Sequence, residues 1–433
     1  MSVSLVGIFL GLVLLMFLAY RGYSIIWVAP VCAAFVALLS GLSILDSYVG
    51  DYMKGMAGYV MAWFPAFFLG AVYGKVMDMT GSARSLADKV VKWIGAKHAI
   101  LAVVIPCMLM TYGGISLFVV VFVVYPMGYA IYRAANMPRT LLPGAIAFGA
   151  FGITMTSVPG TPQIQNLIPM QFYGTSPMAA PLLSIVACLA IGIPGLLYLE
   201  WRARKSLAAG GAFVEDPKFV ESDLDTASLP SWHWLSGLLP IIVVVVLLNV
   251  FKQHIVTSLV SGIILCCLMN IKQYKVLLPS ISAGANGSLT AIMNTACAVG
   301  FGSVVKAVPG FATLTALMMN MPGSILFSEA VAVNVLAGAT GSASGGMSIA
   351  LEALAPQYLE KALAIGLNPE FLHRIASISS GGLDTLPHNG AVLTLLAVSN
   401  CTHKESYGDV CVTTCIIPVV MSLLLALVWG LWI

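Results

Sequence analysis

Long stretches of the chain carry no Asp, Glu, Lys or Arg: residues 2–20, 22–45, 55–74, 99–132, 140–199, 226–251, 276–305 and 410–433. A helix needs about 20 apolar residues to cross the hydrocarbon of a bilayer, so the pattern predicts an all-α polytopic membrane protein. Crossings are expected near 3–19, 25–42, 59–78, 139–171, 177–200, 233–251, 255–270, 286–306, 371–400 and 410–432, with 139–171 and 371–400 interrupted. Two more apolar stretches, 98–132 and 326–362, each hold a Gly-Gly pair and read as helical hairpins. The segment SARSLADKVVKWIG is amphipathic at helical spacing and is expected to lie along the membrane surface. The one long polar connection, 201–232, divides the chain near its middle.

Composition sharpens this picture. The chain is 59% hydrophobic and 9% charged, against roughly a quarter charged in an average soluble domain. No soluble fold of 433 residues has interior enough for that much apolar surface. No basic residue precedes the first apolar run, unlike a cleaved signal peptide, so the first helix is expected to be retained. A multi-pass location in the cell's inner (plasma) membrane follows. The nine cysteines lie scattered in apolar segments; Cys411 and Cys415 share a helix face, where packing explains them. The six histidines form no H-E-x-x-H pair and no Walker motif is present. No metal, cofactor or nucleic-acid partner is expected, and neither nucleotide-driven pumping nor membrane-enzyme chemistry has residues to support it.

The two sides of the 201–232 connection resemble each other. ANMPRTLL, containing Pro138, answers GLNPEFLH, containing Pro369, at an offset of 231 residues. TSVPGTP, with Pro159, answers DTLPHNG, with Pro387, at an offset of 228. GKVMDMTG and VVKAVPG each end an apolar helix with a lysine and then a glycine, and TYGGIS and ASGGMS lie 232 residues apart. Four echoes in the same order indicate a duplicated half, 1–200 and 233–433. Each half has five crossings, an odd number, so the second enters the membrane upside down. Cytoplasmic loops concentrate Lys and Arg. With both termini outside, fifteen of the basic residues fall inside and five outside, which places the 201–232 connection in the cytoplasm.

Inverted repeats mark many secondary transporters, whose sites form where discontinuous helices of the two copies meet near mid-membrane. The two Gly-Gly pairs then read as hairpin tips, where glycine permits a sharp turn and close approach of a ligand to backbone. The alternative is tight helix packing through small residues. On the tip reading, Thr111, Tyr112, Gly113, Gly114 and Ser116 face Ser344, Gly345, Gly346 and Ser348 across the substrate. The interrupted helices add half-helix N-termini, with unpaired N–H groups and a partial positive charge suited to an anion. Thr161 followed by Pro162 fits an N-cap and first helical position, and Asn389 takes the capping place in the second copy. Thr156, Ser157, Gly160, Thr161, Thr385 and Asn389 are therefore expected to hold a small carboxylate, or only to satisfy broken backbone. Asp384 interrupts a span free of other charges from Ile375 to His403, and intramembrane acids are expensive and usually functional. With His388 four residues on, it could carry a proton, help to hold Na⁺, or cap the half-helix. Glu329, Glu352, Arg374 and Lys306 lie nearer the ends of apolar runs and read as interfacial.

In FFLGAVYGKVMDMTGSARSLADKVVKWIGAKHA, in the hairpin and broken helix from 111 to 166, and in 338–409, the chain resembles the gluconate permease (GntP) family of the ion-transporter superfamily. The resemblance implies a homodimer, a scaffold, a moving transport domain that carries both hairpins in an elevator-like motion, and proton-coupled uptake of hydroxycarboxylates. Gluconate-type members tend to have an acidic residue at the first hairpin tip and a His-Pro-Gly-Pro-Thr run in the first broken helix. This chain has Thr111-Tyr112-Gly113-Gly114 and Val158-Pro159-Gly160-Thr161-Pro162 instead. Those departures point to a shorter hydroxy or keto acid, such as 3-hydroxybutyrate. The rivals are a Na⁺-coupled carboxylate symporter and a cation/proton antiporter of a related fold.

Overall fold

The structure, a computed structural model, describes residues 3–21, 23–115, 117–216, 229–387 and 389–431. These residues contain helices and no strand. The first half runs α1 (Val3–Tyr20), α2 (Ile25–Leu39), α3 (Ile44–Met79), α4 (Ser82–Ile94), α5 (Ala99–Tyr112), α6 (Leu117–Ala134), α7 (Leu142–Ala147), α8 (Ile164–Tyr173) and α9 (Pro181–Ala208). The second runs α10 (Trp234–Asn249), α11 (Ile255–Met269), α12 (Ile271–Ala307), α13 (Gly310–Met319), α14 (Ile325–Thr340), α15 (Ala343–Ala364), α16 (Pro369–Ser380), α17 (Gly390–Val398) and α18 (His403–Leu431). The order repeats: two apolar helices, a long one, a short one, a hairpin, a broken helix and a final long helix.

By length and composition α3, α9, α12 and α18 suffice to cross a membrane; α1, α2, α5, α10, α11 and α14 are shorter and apolar. Three of the four long helices, α3, α12 and α18, begin before the crossings that predict them. In α3 the helix continues through Asp46, Asp51 and Lys54, partly as a π-helical turn from Ser47 to Tyr52. Charged residues end an apolar run but not a helix, whose backbone groups near lipid are best satisfied internally. The same logic carries α9 to Ala208, so the first eight residues of the 201–232 connection are helical. Beyond α9, the chain from Gly211 to Asp216 lies along the end of α6. Tyr129 donates from its hydroxyl to Glu215 at 2.7 Å, Arg133 pairs with Glu215 at 2.9 Å, and the Phe213 N–H donates to Asn136 at 3.1 Å.

Local sequence sets several helix starts. Ser24, Ser324, Ser342, Asn368 and Asn389 each accept a backbone N–H at the head of a helix, and Thr402 with Glu405 forms a capping box before α18. Small residues let the long helices pack closely. A Cβ on Gly284 of α12 would lie 2.6 Å from the Val72 Cα of α3, and one on Gly300 would lie 2.9 Å from the Tyr52 carbonyl oxygen. The helix contacts recur with the halves exchanged. α1 packs on α2 as α10 does on α11; α2 meets α12 as α11 meets α3; α4 meets α10 as α13 meets α1. Likewise α8 packs on α15 as α17 packs on α6.

Candidate transport site

The first hairpin turns where its Gly-Gly pair predicts. α5 ends at Tyr112, the Gly113 N–H donates back to Leu109, and Gly114 takes a φ of +87°. A Cβ on Gly113 would sit 2.5 Å from Ile241 of α10, and one on Gly114 would sit 2.9 Å from Pro162. The tip thus rests against the first broken helix. There α7 passes through a π-helical stretch, Phe148–Thr154, and helix resumes only at Ile164. Thr161 and Pro162 therefore do not start α8; Gln163 is the N-cap, two residues after the expected one. Gly160, at φ +76°, donates its N–H to Pro177 at 2.9 Å and accepts from Asn249 at 2.8 Å, which holds the chain out of helical geometry. The Gln163 side-chain amide donates to the carbonyls of Thr111 at 2.7 Å and Ile115 at 3.4 Å, tying break to tip.

The second hairpin differs from expectation. Its bend is at Gly341, φ +61°, and Ser342, so Gly345 and Gly346 lie inside the first turn of α15. Gly346 faces the backbone of Ala337 on α14 so closely that any Cβ would overlap it, so this glycine serves helix packing. The counterpart of Gly114 is thus Gly341, 227 residues on, nearly the 228 that separates the broken helices. Ser344 has its hydroxyl 3.4 Å from Thr295 of α12. Asn389 caps α17 as expected, accepting from the Ala391 N–H at 2.7 Å and the Val392 N–H at 3.0 Å. Its amide donates to the Gly341 carbonyl at 3.0 Å. Gln163 and Asn389 thus do the same thing in the two halves: an amide at the head of a half-helix grips a hairpin bend.

The two breaks touch. Ser377 donates from its hydroxyl to the Thr156 carbonyl at 2.7 Å, and a Cβ on Gly381 would lie 2.8 Å from the Thr156 side chain. Asp384, only 2% exposed, lies within reach of the N–H groups of Thr385 and, at the bend of the second hairpin, Ala343. Thr385 accepts from Thr414 of α18 at 3.0 Å. The structure therefore gathers Thr111, Gly114 and Thr161 at one junction, and Ala343, Asp384, Thr385 and Asn389 at another, with Thr156 between them. Tyr112 is half-buried at the first tip. Ser116 and His388 lie outside the described residues. Thr111 Oγ1, Ser157 Oγ, Ser348 Oγ and Asp384 Oδ1 are buried without a hydrogen-bond partner among the described residues, which native interiors rarely leave so. A cavity of about 430 Å³ lies elsewhere, lined by Lys97, Ala134, Glu200 and Arg204 where the start of α5 and the end of α6 meet α9.

Two of the four residues read as interfacial are not. Lys306 and Glu352 form a half-exposed pair at 3.3 Å, but Glu329 and Arg374 are both 0% exposed. Arg374 donates to the carbonyls of Ala179, at 2.9 Å, and Pro177, at 3.2 Å. Beside it His373 bonds Thr175 at 2.6 Å and Asn166 at 3.2 Å. Asn166 in turn donates to Thr161 at 2.9 Å and Pro177 at 3.0 Å. This polar set buttresses the first break from the second half. Sequence reasoning missed it, together with Gln163 and Asn249; the one signal was an amide side chain near the head of each half-helix.

Residues 2–258 match the profile of the GntP family of permeases. YxjC, an uncharacterised transporter of Bacillus subtilis strain 168, is 41% identical over 454 aligned positions, which cover 95% of this chain and 96% of that one. The chain belongs to the GntP permease family. An uncharacterised permease of Haemophilus influenzae is 26% identical to this GntP permease over 209 positions, 47% of this chain and 41% of the other. Two solved structures share its fold. The YdaH transporter of Alcanivorax borkumensis aligns with a TM-score of 0.57 at 14% identity, over 87% of each chain. MtrF of Neisseria gonorrhoeae, of a class of antimetabolite efflux pumps, aligns with a TM-score of 0.53 at 13% identity, over 90% of this chain and 86% of that one. This GntP permease is a membrane transporter, not an enzyme.

Proposed function

We propose that this GntP permease imports a small hydroxycarboxylate by proton symport, with the substrate held where the two broken helices adjoin. The observation that carries the reading is the set of orphaned buried groups at Thr111, Ser157 and Asp384, in or beside the two helix breaks, whose half-helix heads are gripped to hairpin bends by Gln163 and Asn389. A carboxylate there accepts from hydroxyls and helix N–H groups, so it needs no dedicated cation. A polar substrate would satisfy groups that are otherwise costly to bury. Asp384, at the bend of the second hairpin, is the coupling acid, and a shorter acid such as 3-hydroxybutyrate fits a tip that lacks an acidic residue.

The repeated order of elements and the exchanged helix contacts support two inverted halves, 1–200 and 233–433. The remaining expectations of the family resemblance belong to the same proposal: a homodimer in the plasma membrane, and an elevator-like movement of the hairpins and broken helices. The test is uptake of labelled C3–C6 acids into proteoliposomes under separately imposed pH and Na⁺ gradients. Accumulation of a short hydroxy acid driven by an inward proton gradient is expected. Accumulation driven only by Na⁺ would make Asp384 part of a cation site, and no uptake of any hydroxy acid would remove the substrate assignment.

A further inference from the structure

Asp384 has a companion that the mechanism above does not use. Glu329 lies on α14, twelve residues before the bend at Gly341, so about 18 Å along the helix from it at 1.5 Å per residue. The side chain is completely buried. One carboxyl oxygen, Oε1, accepts a short hydrogen bond from the hydroxyl of Tyr173, the last residue of α8 in the other half of the chain. The other, Oε2, has no partner among the described residues.

The surrounding elements do not neutralise it. Among the described residues no Lys, Arg or His nitrogen lies within 4 Å of Glu329. On α15, Tyr358 bonds Ser328 at 3.1 Å and lies near the carboxyl, Lys361 lines a small cavity with Ser324 and Ser328 at the head of α14, and Glu352 pairs with Lys306. On α16, His373 and Arg374 are turned to Thr175, Asn166, Pro177 and Ala179, and Glu370 accepts from the Ala180 N–H. Helices α1 and α13, which also pack on α14, contain no charged residue. On α18, Asp409 is taken by Arg202 and Tyr198; Ser422 and Ala426 are the groups bonded to α14 and its N-cap.

A carboxylate enclosed in this way has its charge uncompensated, and an unpaired buried charge costs several kcal/mol even after relaxation. A proton on Oε2 removes that cost. Tyr173 is a donor to the ionised acid and, by rotating its hydroxyl, an acceptor from the neutral one. A purely structural contact needs only a hydrogen-bonding group, which Gln provides as well as Glu. An acid is required when the proton has to come and go. We propose that Glu329, with Tyr173 as its hydrogen-bond partner, is a second proton-carrying site of the transport cycle, remote from the hairpin bend and seated between the halves of the chain. In the step itself a proton leaves water, bonds to a Glu329 carboxyl oxygen and later returns to water on the other side, with no redox change.

The proposal rests on proton symport, so the experiment separates the two. Wild type, Glu329→Gln and Tyr173→Phe are reconstituted, and two rates are measured for each: accumulation under an inward pH gradient, and exchange of labelled for unlabelled acid at equal pH. Glu329→Gln is expected to lose gradient-driven accumulation while exchange persists, and Tyr173→Phe to displace the pH dependence of uptake. Persisting exchange also shows that the variant is folded. If wild type responds to the pH gradient and Glu329→Gln responds equally, the Glu329 site is wrong and symport stands. If Glu329→Gln has lost both rates, an unchanged pH profile in Tyr173→Phe overturns the site. A wild type indifferent to pH overturns symport and the site together.

Discussion

The carboxyl of Asp384 sits in the break of the second interrupted helix, beside the bend of the second hairpin. An ionised Asp at the centre of a spanning helix costs about 2.5–3.5 kcal/mol on insertion scales. Two backbone donors, Thr385 and Ala343, offset part of that, and Oδ1 remains unpartnered. Asp384→Asn keeps shape and donor capacity but cannot titrate. It should abolish accumulation against a gradient while exchange continues; undiminished accumulation in a pH-jump assay would place the proton elsewhere. At this scale the sequence was legible where chemistry is local. Asn389 caps α17 because an Asx side chain reaches the next two N–H groups in any context. Thr161 misled because the Gly160–Pro177 and Gly160–Asn249 bonds, made by residues distant in sequence, delay the start of the helix by two positions. Glu329 and Arg374 misled for a related reason: position along a helix suggests depth but does not reveal which neighbours cover a side chain.

Hairpins and broken helices were visible as elements because their apolar runs are long and their interruptions polar. The bend of the second hairpin was not, because a Gly-Gly pair looks the same whether it turns the chain or packs helices. The structure separates the two roles. Gly114→Val forces a β-branched residue to φ +87° against Pro162; left-handed backbone costs an L-residue about 1–2 kcal/mol, and uptake should fail in protein that is still produced. Gly346→Val meets the Ala337 backbone and cannot relax by a side-chain movement, so it should lower thermal stability and yield as well as transport. Equal melting temperatures for the two variants would contradict that division. The connection after α9 offers a pH test. The Tyr129 hydroxyl, and then Arg133, hold the Glu215 carboxyl below its ordinary range. Its contribution is therefore present above the unfolded value and is lost as pH falls through the lower folded one. Hydrogen exchange should show 211–216 protected at neutral pH and released in acid below the usual carboxylate range. Release already near neutrality would remove Glu215 as the fastening.

For the whole molecule, the contacts of α1–α9 recur in α10–α18; of the four sequence echoes that suggested a repeat, the Gly-Gly pairs matched residues with different roles, since the second bend is at Gly341. Which helices face each other across the halves was not legible, since that depends on glycine faces such as Gly284 on α12 meeting Val72 on α3. Orientation rests on the distribution of Lys and Arg. Cysteines placed at Ser222 and after α18, in a background without reactive native cysteines, should be labelled by an impermeant reagent from opposite sides of the membrane. Labelling from one side would end the inverted arrangement. The central claim is coupled entry of a proton with a small hydroxy acid, and a pH-sensitive dye sealed inside proteoliposomes measures it most directly. With no gradient imposed and protein-free vesicles as the baseline, addition of the transported acid should acidify the interior in step with labelled uptake, and Asp384→Asn should show neither. Entry of labelled acid with no change in internal pH beyond the baseline would contradict the account.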